Sequence, residues 1–243
     1  MDDSRHLYSH DDHHLELYRA SPEHAVHHRL GAVPVSGVHR PTWGTIGAGE
    51  VAQAVARHAV RSGQDVVLSN SRGPASLEPV VAAIGPGASA GTIAQAAEAD
   101  LVLLAVPWSA VPAALRGLPH RDGRVLVDAT NQLTGTRQQP VVDDLGDLTG
   151  SELVASLVPG ARVVKAFNTL HGRFIAPDPR HEAGRQLLFY AGDDVAAKTL
   201  FHDVVDGFGF APVDVGPLRE GGRLMQVGGG PLSALHALRQ DVG

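Results

Sequence analysis

The sequence predicts an α/β fold with a mostly parallel, doubly wound sheet. Seven short aliphatic runs alternate with segments of helical periodicity, and the runs are apolar at consecutive positions. This pattern is typical of strands that are covered on both faces. The seven predicted strands are residues 43–46, 66–68, 101–106, 125–127, 163–167, 187–190 and 212–215. Because strands and helical patterns alternate along the chain, we expect a parallel sheet.

Three of the predicted helices have recognisable ends. Apolar residues recur at every fourth position from Val51 to Ala59, and Gly63 follows as a C′ residue. Ser151 heads the segment "SELVASLV", and the acids at 193–194 precede "VAAKTLFHDVVDGFG". Side-chain oxygens and negative charge both stabilise helix N-termini, so these residues predict two helix starts.

The composition limits the kind of protein this is. The chain has 243 residues, a formal net charge of −6 and no cysteine. The acidic balance argues against a nucleic-acid partner, and the lack of cysteine excludes disulfides and thiolate metal sites. No apolar run of about 18 residues is present, and the N-terminal residues are too polar for a signal peptide. We therefore expect a soluble, cytoplasmic protein with no membrane segment.

Residues 1–40 differ from the rest, since they contain eight of the fourteen histidines. His10 with His14 and His24 with His28 would each form a metal-chelating pair on a helix. The acidic and polar surroundings instead favour a flexible extension, and we assign no metal site. The remaining residues, 41–243, are predicted to form a single domain with a C-terminal helical segment.

The first predicted strand runs into a dinucleotide-binding motif of the form G-x-G-x-x-G/A. Its residues are Gly47, Ala48, Gly49, Glu50, Val51 and Ala52. Gly47 would make the tight turn, Gly49 would let backbone amides approach a pyrophosphate, and Ala52 would allow close packing of helix on strand. The motif lies between a predicted strand and a predicted helix, which is the context that gives it meaning. We predict a Rossmann-type fold.

The second predicted strand ends in the polar loop "SNSR". Dinucleotide-binding folds that use NAD place a carboxylate here, about 20 residues after the glycines, on the ribose hydroxyls. This chain has Asn70, Ser71 and Arg72 instead. These side chains can donate to a phosphate, and the guanidinium fork suits one well. The loop therefore predicts NADP(H) rather than NAD(H).

Three further strand ends supply candidates for contact with the nicotinamide, because ligands of such sheets lie outside the carboxyl ends of the strands. Pro107 and Trp108 offer a rigid wall for a flat ring, and amide and hydroxyl groups could orient a carboxamide or a second ligand. The candidates are Ala105, Val106, Pro107 and Trp108, then Asp128, Thr130 and Asn131, then Asn168 and Thr169.

Four stretches resemble one family closely. They are "GTIGAGEVAQAVARHAVRSGQDVVLSNSR", "AVPW", "VVKAFNTL" and "AGDDVAAKTLFHDVVDGFGFAPVDVGPLREGGRLM". They resemble the NADPH-dependent reductases of the deazaflavin coenzyme F-420, and they are similar to the NADPH-binding domain of the six-transmembrane ferric reductases. The resemblance covers residues 42–227 and is carried most specifically by the distal block.

The resemblance implies a Rossmann-type domain with a small C-terminal addition, a homodimer, and hydride transfer between NADPH and a deazaflavin or flavin acceptor. By position, it implies that residues 47–51 hold the pyrophosphate and residues 70–72 the 2′-phosphate. Residues 105–108 would flank the nicotinamide, and Asn168, Thr169 and Leu170 would border the second ring. The last segment contains Gly228-Gly229-Gly230, which would interrupt a terminal helix.

Two other functions stay open. Lys165 and Asn168 form K-x-x-N, a pair that could serve a reductase of a small carbonyl or imine, with His171 as a second proton donor. The simpler interpretation of Lys165 is a strand lysine that faces solvent or pairs with an acid. A redox sensor that binds NADP(H) without turnover is the third hypothesis. Transfer between two flat rings needs no general acid, which favours the deazaflavin or flavin acceptor.

Overall fold

The computed structural model describes residues 40–118, 123–136 and 138–240. The predicted histidine-rich extension, residues 1–40, lies outside the described residues except for Arg40. So do the two histidine pairs considered as a metal chelate.

Within the described residues, the central sheet contains ten strands, and a separate hairpin contains two. The strands are β1 (Trp43–Ile46), β2 (Val66–Ser69), β3 (Ala88–Ala90), β4 (Leu101–Leu104), β5 (Val125–Asp128), β6 (Leu133–Gly135), β7 (Pro140–Val142), β8 (Arg162–Ala166), β9 (Arg180–His181), β10 (Gly184–Gly192), β11 (Ala211–Asp214) and β12 (Leu238–Arg239). The order along the sheet is β11-β10-β8-β5-β4-β1-β2-β3, and β9 and β12 pair with β10.

Six neighbouring strands run parallel, from β3 at one edge to β8. Their order, third-second-first-fourth-fifth-sixth within this group, is that of the dinucleotide-binding fold. β10 then joins β8 in the antiparallel direction, with Ala191 opposite Lys165, and β11 runs parallel to β10. The predicted Rossmann-type sheet with a small C-terminal addition is therefore confirmed.

Helices cover both faces of the sheet. They are α1 (Glu50–Arg61), α2 (Glu78–Ile84), α3 (Ile93–Ala96), α4 (Val111–Leu115), α5 (Gly150–Leu157), α6 (Gly172–Ile175), α7 (Val195–Phe208) and α8 (Glu220–Met225), with short 3-10 turns at Pro74–Leu77 and Trp108–Ala110. Gly63 follows α1 with φ 73°, as predicted for a C′ residue. Asp194 caps α7 by accepting a hydrogen bond from the Ala197 amide at 2.8 Å.

Alternate residues of the central strands face two separate apolar layers. Leu101 and Leu103 pack with α1 and α7, whereas Val102 and Leu104 pack with α4 and α5. All four side chains are fully buried. This explains why the strands read as continuous aliphatic runs, since each face of the sheet needs an apolar residue at every second position.

Some predicted boundaries are wrong. The strand predicted at 101–106 ends at Leu104, because the chain leaves the sheet at Ala105 to border the glycine loop. The strand predicted at 163–167 ends at Ala166, because Phe167 takes a left-handed conformation with φ 62°. The strand predicted at 187–190 is longer, since it pairs with β8, β9, β11 and β12 in turn.

The N-terminus of α5 also differs from the prediction. Ser151 does not cap it, because the cap is Thr149, whose hydroxyl accepts from the Glu152 amide at 3.2 Å. The Glu152 carboxylate accepts in turn from the Thr149 amide at 2.7 Å, which completes a capping box. Ser151 lies in the first turn and points to a buried carboxylate described below.

The C-terminal helix is short. α8 ends at Met225, and Gly228-Gly229-Gly230 follow it in a turn, as the sequence predicts. No helix within residues 40–118, 123–136 and 138–240 has the length and apolarity that crossing a membrane requires.

Candidate functional site

The glycine loop between β1 and α1 has the geometry that its sequence predicts. Gly47 has φ 103°, and a Cβ there would lie 2.2 Å from the Ala105 carbonyl oxygen, so only glycine fits. A Cβ on Gly49 would meet no atom within 4 Å, which leaves open space above the start of α1. Ala52 is fully buried beneath the loop. The loop thus offers unobstructed backbone amides at a helix N-terminus, as a pyrophosphate requires.

A cleft of about 460 Å³ opens at the carboxyl ends of β1, β4 and β5. Most of its lining residues are glycine or apolar. The lining residues are Gly49, Glu50, Val51, Ala105, Val106, Pro107, Trp108, Ala129, Thr130, Asn131 and Leu133. Nine of these lining residues, all except Ala129 and Leu133, are among those that the sequence nominates for the dinucleotide and its ring.

Pro107 and Trp108, which are neighbours in the cleft wall, differ in their exposure to solvent. Pro107 is exposed, whereas Trp108 is 7% exposed and belongs to the apolar layer beneath α4 and α5. The Trp108 Nε1–H donates to Asp143 Oδ2 at 2.7 Å, which satisfies the one polar group of the ring. Pro107 and the edge of a fixed indole thus form one rigid wall.

The loop after β2 is held by its own side chains. Asn70 Oδ1 accepts from the Arg72 amide at 2.9 Å, and Asn70 Nδ2 donates to Ser76 Oγ at 2.9 Å. Ser71 and Arg72 are exposed. Asn70 therefore shapes the loop, and the two side chains after it are the ones presented to solvent.

Asn131 and Asn168 bind each other between β5 and β8. Asn131 Nδ2 donates to the Asn168 carbonyl oxygen at 3.0 Å, and Asn168 Nδ2 donates to the Met225 carbonyl oxygen at 2.8 Å. Asn168, Thr169 and Leu170 are 8%, 2% and 7% exposed. The structure therefore places these three residues behind the cleft wall and not on its surface.

Two polar atoms in this region have no partner. Asn168 Oδ1 and Thr169 Oγ1 are buried, and neither makes a hydrogen bond. Phe167 precedes them with φ 62°, and this turn directs Asn168 toward α8. Unsatisfied polar atoms and left-handed backbone at a strand end often mark a functional segment.

Lys165 is buried in an ion pair. Its Nζ donates to Asp128 Oδ2 at 3.1 Å and to the Thr130 carbonyl oxygen, and Lys165 is 5% exposed. Asp128 Oδ2 also accepts from Ser151 Oγ at 2.6 Å, and Asp128 Oδ1 accepts from Thr130 Oγ1 at 2.6 Å. Of the two simple interpretations of Lys165, the pairing with an acid is the one observed. The cluster fixes the loop that carries Thr130 and Asn131.

Helix α6 lies directly against the first turn of α1. A Cβ on Gly172 would lie 2.7 Å from the Glu50 Cβ, so glycine permits this contact. Deeper in the interface, His58 Nε2 lies 2.6 Å from the Ile175 carbonyl oxygen, which accepts a hydrogen bond from the ring N–H. Burial lowers the pKa of His58, with a further lowering from Arg61, and the bond to Ile175 opposes the shift.

Comparison with known proteins agrees with this geometry. The model of the coenzyme F420-dependent NADP oxidoreductases matches residues 42–132, which include the glycine loop, the "SNSR" loop and the cleft wall. The hypothetical protein SMa0349 of Sinorhizobium meliloti is 37% identical, with a TM-score of 0.77 over 83% of this chain and 97% of that chain. The chain belongs to the family of coenzyme F420-dependent NADP oxidoreductases.

Two further proteins, one of known structure and one known by its sequence, are also similar to this chain. A candidate F420-dependent NADP reductase from Arthrobacter sp. FB24 has the same fold, with 23% identity and a TM-score of 0.66 over 74% of this chain and 86% of that one. The metalloreductase STEAP3 of Rattus norvegicus is 29% identical over 180 residues, which are 73% of this chain. The match spans 34% of the rat protein's length.

Several residues of the site were not found from the sequence. Asp143 fixes Trp108, Ser151 binds Asp128, and the Met225 carbonyl oxygen holds Asn168. Each of these contacts joins residues more than 20 positions apart, so no local pattern predicts it. Asp128 was visible as an acid at the end of an aliphatic strand, but its pairing with Lys165 required the strand order.

Proposed function

We propose that the chain is an NADP(H)-dependent oxidoreductase that transfers hydride between NADPH and a flat deazaflavin or flavin acceptor in the cleft. One observation carries the proposal. Among the described residues that line the cleft, Glu50 alone has a titratable side chain, and it is exposed at the first turn of α1. The other lining residues have no ionisable group: most are apolar or glycine, and Thr130 and Asn131 add neutral polar side chains. Such a site suits ring stacking better than proton transfer.

NADPH supplies the hydride when it is bound, and the residues of the chain do the positioning. We expect the loop amides after Gly47, at the N-terminus of α1, to bind the pyrophosphate, and Pro107 with Trp108 to limit where a ring can lie. Asn131 lines the cleft and is held from behind by Asn168. Hydride transfer needs the two reacting atoms within about 3–3.5 Å of each other, so a rigid wall contributes directly to the rate.

The choice of cofactor rests on the loop after β2. Ser71 and Arg72 are exposed next to the carboxyl end of β2, where the adenosine ribose lies in this fold. Neither side chain has a hydrogen-bond partner among the described residues, so both are available to a 2′-phosphate. Asn70 supports them through its bonds to the Arg72 amide and to Ser76. We infer a preference for NADPH over NADH.

The alternative of a carbonyl or imine reductase would use Lys165 as a proton donor. The Nζ of Lys165 already donates to Asp128 and to the Thr130 carbonyl oxygen, and Lys165 does not line the cleft. His171 is exposed outside the same lining. Both placements favour the flat acceptor.

We further propose that the protein acts as a homodimer, as its resemblance to the F-420 reductases implies. Val141, Val142 and Leu148 are 56%, 41% and 45% exposed, and Val142 and Leu148 line one hollow with the glycines after α8. Exposed apolar groups of this kind are typical of protein contacts. Light scattering on a size-exclusion column should give twice the mass of the chain, and a monomer mass would contradict this assignment.

A panel of acceptors with NADPH held constant tests the proposed function. We expect rapid NADPH oxidation with a deazaflavin or a flavin, and no oxidation above background with simple ketones or cyclic imines. Turnover with a ketone or an imine alone would support the alternative reductase. Tight NADPH binding without oxidation by any acceptor would support a redox sensor, and either result would refute the proposal.

A further inference from the structure

A second hollow, of about 430 Å³, lies between α1 and α6 and adjoins the cleft, since Glu50 lines both. We call it the α1–α6 crevice. Its lining residues are Glu50, Gln53, Arg57, His171, Gly172, Arg173 and Ala176. The first three recur along one side of α1, and the rest belong to α6 and the residues that flank it. Nothing in the dinucleotide motif accounts for this hollow.

The crevice has an excess of cationic side chains. Arg57 and Arg173 have no ion pair within 4.0 Å among the described residues, whereas Arg124, Arg162 and Arg180 pair with nearby acids. Arg57 is half-buried, and within the described ranges its side chain makes one hydrogen bond, a long one from Nη2 to Gln53 Oε1 at 3.4 Å. A half-buried guanidinium with most of its five donors unused is suited to bind an anion.

Arg173 is held in place without being neutralised. Its Cζ lies 4.8 Å from the centre of the Phe174 ring, and Phe174 stacks on His236 at 4.6 Å between ring centroids. The ring contact orients the guanidinium, and its N–H groups have no hydrogen-bond partner in the described part of the chain. Glu50 is the one carboxylate in the lining, so two guanidinium groups outweigh it.

The α1–α6 crevice lies beside the segment that we assign to the acceptor, and away from the loop that we assign to the 2′-phosphate of the dinucleotide. It begins at His171, directly after the segment Asn168 to Leu170 that follows β8. The 2′-phosphate loop, by contrast, follows β2, on the other side of β1 in the sheet. Gly172 and the bond between His58 and Ile175 fix α6 against α1, so the crevice keeps its shape.

We propose that the α1–α6 crevice binds a phosphate group on the side chain of the acceptor, through Arg57 and Arg173. The inference rests on the proposed function, because it assumes that the acceptor ring lies in the adjoining cleft. It assigns the substrate class more narrowly: a flat redox ring with a phosphorylated side chain. FMN and riboflavin form a matched pair of probes, since they share one ring and differ by one phosphate.

The test is a titration of intrinsic flavin fluorescence with FMN and with riboflavin, in the absence of NADPH. We expect the unmodified protein to bind FMN about tenfold more tightly, since a charge-assisted bond to phosphate contributes on that order. Arg57→Gln and Arg173→Gln should each remove most of this preference by weakening FMN alone. Arg57→Lys, which keeps the charge, should retain part of it.

Controls separate this inference from the proposed function. Arg116→Gln changes an exposed arginine beyond α4, outside the crevice, and should leave the FMN preference intact. Equal affinity for FMN and riboflavin in the unmodified protein would overturn the inference, even if both flavins oxidise NADPH. Weaker NADPH binding in Arg57→Gln would also overturn it, by assigning the crevice to the dinucleotide. An FMN preference that depends on both arginines would support it, even if neither flavin is reduced.

Discussion

The two ends of the candidate dinucleotide site are built in opposite ways. At the adenosine end, Ser71 and Arg72 are exposed on a short loop, and their side chains have no hydrogen-bond partner among the described residues. At the nicotinamide end, Asn131 donates a hydrogen bond to the Asn168 carbonyl oxygen. The preceding residue, Thr130, accepts one from Lys165, which forms a buried ion pair with Asp128. Residues at the adenosine end can therefore select a ligand without contributing to the fold. Residues at the nicotinamide end both position the ligand and contribute to the free energy of unfolding. Mutations at the two ends should therefore separate binding from folding.

The largest effect is expected from Lys165→Met. The change leaves the fully buried Asp128 without its cation, and breaking such a pair costs about 3–5 kcal/mol of unfolding free energy. Urea unfolding followed by circular dichroism measures the loss. Lys198→Met is the matched control, because Lys198 pairs with the half-exposed Asp214 and should cost under about 1 kcal/mol. If both variants lost the same unfolding free energy, the buried ion pair would not contribute more to stability than the exposed one, and the contrast between the two ends of the site would be wrong.

Arg72→Ala should act on binding alone. We expect the Kd for NADPH to rise about twentyfold, since a guanidinium–phosphate contact is lost, while the Kd for NADH stays unchanged. The unfolding free energy should not change, because Arg72 is exposed and its side chain has no hydrogen bond or ion pair with the described residues. Isothermal titration with both dinucleotides checks this. A similar loss for NADH would remove Arg72 from the 2′-phosphate site.

Asn131→Ala should give an intermediate result. Its side chain lines the cleft and also binds Asn168, so we expect kcat to fall about fivefold through poorer ring placement. The Kd for NADPH should change less, because the pyrophosphate and 2′-phosphate contacts remain. Steady-state kinetics with a flavin acceptor and titration with NADPH separate the two quantities. A loss confined to the Kd would mean that Asn131 only helps to hold the dinucleotide.

The smallest expected effect is on pH dependence. The folded-state pKa of His58 lies below its ordinary value of 6.5, so the unfolded chain binds a proton more readily. The stability that this residue contributes is present above pH 6.5 and is lost as pH falls from there through the lowered folded-state pKa. Urea midpoints measured across this range should show the decline, and His58→Gln should reduce it. An unchanged slope in the variant would assign the decline to other groups.

The sequence was most informative where local patterns decide the structure. The aliphatic runs located the central strands, and the glycine motif located the turn after β1, because both depend on residues close in the chain. The loop "SNSR" indicated the exposed arginine for the same reason. These features cover the adenosine end of the site almost completely.

The nicotinamide end could be predicted only in part. Asn131 and Asn168 were recognisable as polar residues at strand ends, but their mutual bond depends on β8 lying next to β5. The left-handed turn at Phe167, which buries Asn168, has no sequence pattern, since bulky residues rarely adopt it. The α1–α6 crevice was missed because it depends on Gly172 contacting α1, more than 100 residues away. The bond between Asn131 and Asn168, the turn at Phe167 and the α1–α6 crevice all depend on contacts between residues that are far apart in the chain.

Isotope transfer tests the central claim most directly. NADPH that carries deuterium on the transferable position of its nicotinamide is incubated with the protein and a 5-deazaflavin, whose ring accepts hydride on carbon. Because a carbon–deuterium bond does not exchange with water, direct transfer in the cleft predicts deuterium at C5 of the reduced deazaflavin by mass spectrometry and NMR. A reduced deazaflavin that contains only solvent hydrogen, or no reduction at all, would contradict the account.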